Sequence, residues 1–238
     1  MSADLLRGDH HVHSTFSDDA VSTLEENVAA AAAVCLAELR PVDHVRRDTG
    51  WVPELLAAVA GLRVPDGLTV RTGVEAKILD TAGTLDIPRL PSGVDRILIA
   101  DHQFPGTEGP LGPSAVRERL AAGLPAEDAV ADLMTAYERV MERHPGNQLA
   151  HPFSILPKVG LSEELIDDER LEQWARTAAA TDTHVEVNEK WGCPSPRSLA
   201  ALRRAGARLV ASTDSHDAAD VGRYRRVREL LSAAEAAG

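Results

Sequence analysis

Short apolar runs recur along the chain and alternate with stretches of helical periodicity. Residues 68–70, 96–100, 148–150, 184–187 and 208–211 read as buried strands. The clearest helical pattern covers Ala126–Arg143, where Val130, Leu133, Met134, Tyr137, Val140 and Met141 fall on one stripe that must face a core. Pro125 suits a first helical turn, and Pro145-Gly146 makes a stop before the next strand. Two more helices are predicted, over residues 25–36 and 168–180. Strands that alternate with helices imply parallel βαβ units, and so an α/β barrel or a doubly wound sheet.

Composition narrows this picture. A chain of 238 residues with 44% hydrophobic and 26% charged residues can bury one sizeable core, so a single domain over residues 1–238 is expected. No apolar run precedes Asp9 and no window approaches the roughly 18 apolar residues of a membrane span, so no membrane partner and a cytoplasmic location are expected. The two cysteines, Cys35 and Cys193, form no CxxC pair, which argues against a thiolate zinc site. A formal charge of −12 repels polyanions, so nucleic acid is not an expected partner. A small anionic phosphorylated substrate stays possible, because bound cations can reverse the field inside one pocket.

The candidate chemistry lies at the strand ends. In the segment Asp9-His10-His11-Val12-His13, strand geometry points His11 and His13 the same way, so both imidazoles can grip one cation. Later apolar segments run into similar groups: Asp43-His44 after residues 39–42, Glu75 after 70–74, Asp101-His102 after 97–100, His151 after 148–150, and Asp214 and His216 after 209–213. In parallel α/β folds the carboxyl ends of strands converge on one face, where sites are built. Six of the nine histidines occupy such positions, which points to one shared metal site rather than to unrelated core histidines. No GxSxG elbow and no GxxxxGK[ST] loop is present.

These residues resemble the motifs of the polymerase and histidinol phosphatase (PHP) family. Asp9 to His13, Val42-Asp43-His44, Gly73-Val74-Glu75, His102, His151-Pro152 and Thr213-Asp214-Ser215-His216 follow that family's order, with Val42 in place of its usual threonine. The resemblance implies a distorted (β/α)7 TIM-like barrel and hydrolysis of a small phosphate monoester, histidinol-phosphate-like or another phosphorylated metabolite. It also implies two or three divalent ions. His11, His13, Glu75 and Asp214 would bind the first, with Glu75 bridging to a second on His102 and His151. A third would take His44, His216 and Asp19, with Asp18 as the alternative from the same loop. Mixed imidazole and carboxylate donors suit Zn, Mn or Fe. Three such ions outweigh the charge of Glu75, Asp214 and Asp19, which suits a phosphate ester. A coordinated water with a lowered pKa makes a serine or cysteine nucleophile unnecessary. His216 and Asp214 are the candidate proton-handling residues.

For the substrate, Arg46 and its neighbour Arg47 follow His44 directly and either fork onto a phosphate or form a solvated loop. Lys190 and Trp191 follow a strand-like segment where relatives in the resembled family carry substrate-facing residues. Arg225 and Arg226 read as an exposed face of the last helix, and His10, His144 and His184 as structural or surface residues. Three other functions share parts of this pattern. An amidohydrolase-like C–N or lactone hydrolase would need a bridging lysine, for which Lys77, Lys158 and Lys190 are the candidates. A PHP-type nuclease would use the same metal site, and a non-enzymatic scaffold would lack ligands.

Overall fold

The structure is a computed structural model that describes residues 2–87 and 89–236. Its strands are β1 (Gly8–Val12), β2 (Glu38–Val45), β3 (Thr69–Val70), β4 (Gly73–Lys77), β5 (Arg96–Ala100), β6 (Phe104–Gly106), β7 (Gly109–Leu111), β8 (Gln148–Leu149), β9 (His184–Asn188) and β10 (Arg208–Ser212). Seven of them pair in parallel in the order β1-β2-β4-β5-β8-β9-β10. The first and last meet just beyond their ends, where Val12 bridges Ser215 and the His13 amide donates to the Ser215 carbonyl at 2.8 Å. The expected seven-stranded (β/α) barrel is therefore the observed fold, with β6 and β7 added as an antiparallel hairpin.

Strand alternation sorts the side chains into two populations. Val74, Ala76, Ile97 and Ile99 join the large core shared with the surrounding helices, whereas Leu98, Ala100, Val42 and Ala150 form a separate small cluster. Glu75 alternates with Val74 and Ala76, so it points inward beside Leu98 and His44, its register partners. The helix Ala126–Arg143 forms as predicted, and all six residues of its apolar stripe are buried. Burying each large side chain contributes about 1.5–3 kcal/mol, so this one face holds a large share of the helix in place. Asp168–Ala180 also forms, capped by the Asp167 carboxylate, which accepts from the Arg170 amide.

Two sequence expectations need correction. Residues 70–74 are not one strand: β3 ends at Val70, and β4 resumes at Gly73. Thr72 between them is held by Asp95, whose Oδ2 accepts from its amide at 2.8 Å and from its hydroxyl at 3.0 Å. Gly73 has no room for a side chain, since a Cβ there would stand 2.9 Å from Val42 Cγ2. The helix expected over 25–36 spans Leu24–Ala33; a capping box between Thr23 and Glu26 starts it, and Cys35, at φ +58°, turns the chain away. Helices Val52–Ala60, Pro113–Ala121 and Pro196–Ala205 lie outside the elements that periodicity marked. No described helix is long and apolar enough to cross a membrane.

Candidate metal centre

The carboxyl end of the barrel brings the nine predicted ligand residues together, with Glu75 at their centre. Its Oε1 lies 3.1 Å from His102 Nε2 and 3.0 Å from His151 Nε2. Its Oε2 lies 2.8 Å from His44 Nδ1 and 3.6 Å from the Nε2 atoms of both His11 and His13. Asp214 Oδ1 approaches His13 Nε2 at 3.3 Å, His216 Nδ1 at 3.7 Å and His11 Nε2 at 3.8 Å. On the outer side Asp19 Oδ2 stands 3.2 Å from His216 Nε2 and 3.5 Å from His44 Nε2. Asp19 rather than Asp18 therefore reaches these histidines.

Three groups bring one donor atom per residue within 4.8 Å of one another: His11, His13 and Asp214; His13, His44 and His216; and His44, Glu75 and His102. The first agrees with the grouping implied by the resemblance. The others divide the residues differently, because His44 directs Nδ1 to Glu75 and Nε2 to Asp19 and so stands between two sets.

The rings are held from behind. His11 Nδ1 lies 2.9 Å from Glu186 Oε1, a buried carboxylate that only accepts, so this nitrogen carries the proton and Nε2 offers a lone pair when the ring is neutral. The same carboxylate accepts from Gln148 Nε2, Asn188 Nδ2, Ser212 Oγ and the His151 amide at 2.7–3.0 Å. His151 Nδ1 faces Asp101 Oδ1 at 3.3 Å and Ser154 Oγ at 3.0 Å, which turns its Nε2 to Glu75. Asp101 is itself fixed by Tyr137 Oη and Ser154 Oγ, both at 2.7 Å. Ser17 Oγ lies 3.2 Å from His13 Nδ1 and donates to Asp43 at 2.7 Å. Such outer partners fix ring orientation and tautomer at metal sites.

With neutral rings, this leaves nitrogen lone pairs and carboxylate oxygens facing one another across the centre. His11 Nε2 and His13 Nε2 are 3.0 Å apart, and the buried Glu75 Oε2 takes no well-aligned hydrogen bond. Only protons or cations can relieve that opposition. Burial opposes charge on His151, yet Asp101 and Glu75 outweigh it and push its pKa up to about 10. Burial wins at His13, which is pushed down to about 4 beside the charge of His11. Against their own burial, Glu75 and Asp214 are both held well below the usual carboxylate range by the surrounding imidazoles. His151 and Asp214 also adopt left-handed backbone, with φ of +31° and +52°, a conformation that costs about 1–3 kcal/mol and tends to cluster at functional sites.

A cavity of about 340 Å³ opens onto the cluster, lined by Glu75, His102 and Asp214 and also by Arg46, Lys77, Lys190 and Trp191. Of the two residues predicted to meet substrate, Arg46 is exposed on its rim. Lys190 is also exposed but reaches the cluster, with Nζ 3.5 Å from Asp214 Oδ2 and 3.2 Å from His216 Nδ1. Trp191 Nε1 donates to Asp214 Oδ2 at 2.8 Å. Arg225 and Arg226 flank a cleft of about 910 Å³ that shares Asp19, Lys190, Asp214 and His216 with the cavity. Both are exposed at the start of the last helix, as expected, and their amides donate to Glu189 at 3.0 Å. Glu186 and Ser17 are the supporting residues that sequence reasoning missed. Glu186 had a visible signal, an acid between Val185 and Val187 in a strand otherwise suited to burial.

No family model matches this chain. It is similar to a probable phosphatase of Acetivibrio thermocellus, 27% identical over 240 residues that cover 94% of this chain and 85% of the relative. A probable phosphatase of Photobacterium profundum is 25% identical over 94% of this chain and 83% of its own length. Among solved structures, the histidinol phosphate phosphatase of Lactococcus lactis, complexed with zinc, L-histidinol and phosphate, matches with a TM-score of 0.62. It covers 97% of this chain and 93% of the neighbour at 18% identity. The two share a fold.

Proposed function

We propose that this protein is a metal-dependent phosphatase that hydrolyses the phosphate monoester of a small metabolite. The carrying observation is Glu75, a buried carboxylate with five imidazoles within 3.6 Å of its two oxygens. That donor set fits two or three divalent ions, and mixed nitrogen and oxygen donors suit Zn, Mn or Fe. His11, His13 and Asp214 would hold one ion, Glu75, His102 and His151 a second, and His44, His216 and Asp19 a third, with Glu75 shared. Bound there, the ions would supply Lewis acidity and lower the pKa of a water molecule.

The chain's own residues do the rest. Glu186 and Asp101 hold the imidazoles of His11 and His151 in the tautomer that turns Nε2 inward. Arg46 and Lys190 supply positive charge at the rim for phosphate oxygens. In this reading His216 and Asp214, both beside Lys190, handle the proton of the leaving oxygen, with His216 as its donor and the ionised Asp214 as the neighbour that supports it. The full-length similarity to probable phosphatases supports this reaction class over the others. An amidohydrolase would bridge its metals with a modified lysine, whereas here a glutamate stands at the centre and Lys77 donates to Gln103 Oε1 at 2.7 Å. The substrate class spans histidinol-phosphate-like amino-alcohol phosphates and other phosphorylated metabolites.

Elemental analysis of the purified chain, followed by a phosphomonoester panel with and without chelator, tests the reading. Stoichiometric bound metal and chelator-sensitive phosphate release are expected. A metal-loaded protein that releases no phosphate from any ester would overturn it.

A further inference from the structure

The chain's basic residues divide unevenly: 22 are arginines and only three, Lys77, Lys158 and Lys190, are lysines. Several arginines are engaged in carboxylate pairs, such as Arg197 with Asp168 and Arg204 with Glu172. All three lysines stand at the mouth of the metal cavity. Lys77 and Lys190 line it, and the Lys158 ammonium lies 3.9 Å from the ring centroid of Trp191, which also lines it. Lys77 has a carboxylate, Asp86, at 3.7 Å. Lys158 has none within 4.0 Å among the described residues; its charge rests on the indole face alone.

Lys190 Nζ is 5.8 Å from the same ring centroid, so one exposed indole carries two ammonium groups. Like charges near one ring repel; Asp214 Oδ2, 3.5 Å from Lys190 Nζ, offsets part of this, and an anion beside the unpartnered Lys158 relieves the rest. The site is also fixed in space. Arg117 donates to the Lys158 carbonyl at 2.6 Å, and the Trp191 N–H is tied to Asp214. There is room beyond it, because a second cavity of about 620 Å³, lined by Lys158, Arg197 and Ser195 on one hand and by Glu163 and Glu164 on the other, meets the metal cavity at Trp191.

We propose that Lys158, Trp191 and Lys190 form a recognition site for a second anionic group on the substrate, a carboxylate or another phosphate, one short carbon skeleton away from the phosphate that is cleaved. The inference rests on the phosphatase reading above and narrows it, since an amino-alcohol phosphate would bring an ammonium group against two others. A cation at position 158 suits the task because it meets either anion by charge.

Calorimetric titration of the metal-loaded full chain with three non-hydrolysable probes tests it: 3-phosphonopropionate, propylphosphonate and 3-aminopropylphosphonate. The carboxylate probe is expected to bind at least fivefold tighter than the neutral one, with the amine weakest. Lys158→Met should erase that margin and Lys158→Arg should keep it. A margin below fivefold in the unmodified chain, or one that survives Lys158→Met, overturns the inference. Because the probes are not hydrolysed, this result is separate from the phosphate-release assay, whose failure would instead sink the phosphatase reading.

Discussion

The two ends of the barrel use the same residue type in opposite electrostatic settings. At the carboxyl end, six histidines face Glu75, Asp214 and Asp19. At the amino end, His10 and His184 sit among arginines: Arg96 Nη2 lies 3.2 Å from His184 Nε2, and Arg40 is held by the Thr72 carbonyl at 2.8 Å. Burial, with Arg40 and Arg96 nearby, pushes His10 down to about 3, and burial with Arg96 pushes His184 down to about 4. At one end carboxylates dominate around the imidazoles, and at the other arginines stand beside them, with Glu38 3.4 Å from His10. Gln148 joins the two regimes, since its Nε2 donates to Glu186 at 2.7 Å while its Oε1 accepts from Arg96 at 3.3 Å. A histidine therefore acquires its role from the charges that the fold sets beside it.

The largest test of this contrast removes the central carboxylate. Glu75→Ala should lower kcat by about a thousandfold or more, a loss on the order of 4 kcal/mol. Bound metal, measured by elemental analysis, should fall with it. Full activity at limiting metal would place the site elsewhere. A smaller effect is expected one layer out. Glu186→Gln keeps the packing but weakens the acceptor behind His11, and should reduce metal affinity by about 10–100-fold in competition with a chelator. Unchanged affinity would mean that the His11 ring needs no such anchor.

The smallest effect belongs to the other end. His184→Gln should leave turnover within about twofold while changing how stability responds to acid. The folded pKa of His184 is depressed, so below its unfolded value of about 6.5 the unfolded chain binds a proton that the folded chain refuses. Stability is therefore fully present above that value and declines as pH falls towards about 4. Removing the imidazole should flatten this slope in denaturant titrations between those limits. An unchanged slope would show that His184 takes up its proton as freely folded as unfolded.

Much of the centre was legible because the chemistry recurs at each strand end. The pairing of His11 with His13, and acids or histidines closing five further apolar segments, required a converging fold to make sense. The longest helices were legible too, since Ala126–Arg143 and Asp168–Ala180 repeat their apolar residues over several turns. The break at Arg71-Thr72 was not, because it depends on Asp95, 23 residues away along the chain. Nor were three shorter helices, Val52–Ala60, Pro113–Ala121 and Pro196–Ala205, none longer than ten residues.

Local order along the chain thus determined the element types, the inventory of donor atoms and the strand ends that carry them, because backbone periodicity and residue identity are properties of neighbours. Only the tertiary structure decided which donors face which. Glu186 reaches His11 across 175 positions, Asp19 reaches His216 across 197, and His44 stands between two sets because β2 lies beside β4. Distances of a few ångströms govern charge, tautomer and cation affinity, and such distances between remote residues exist only once the barrel has closed.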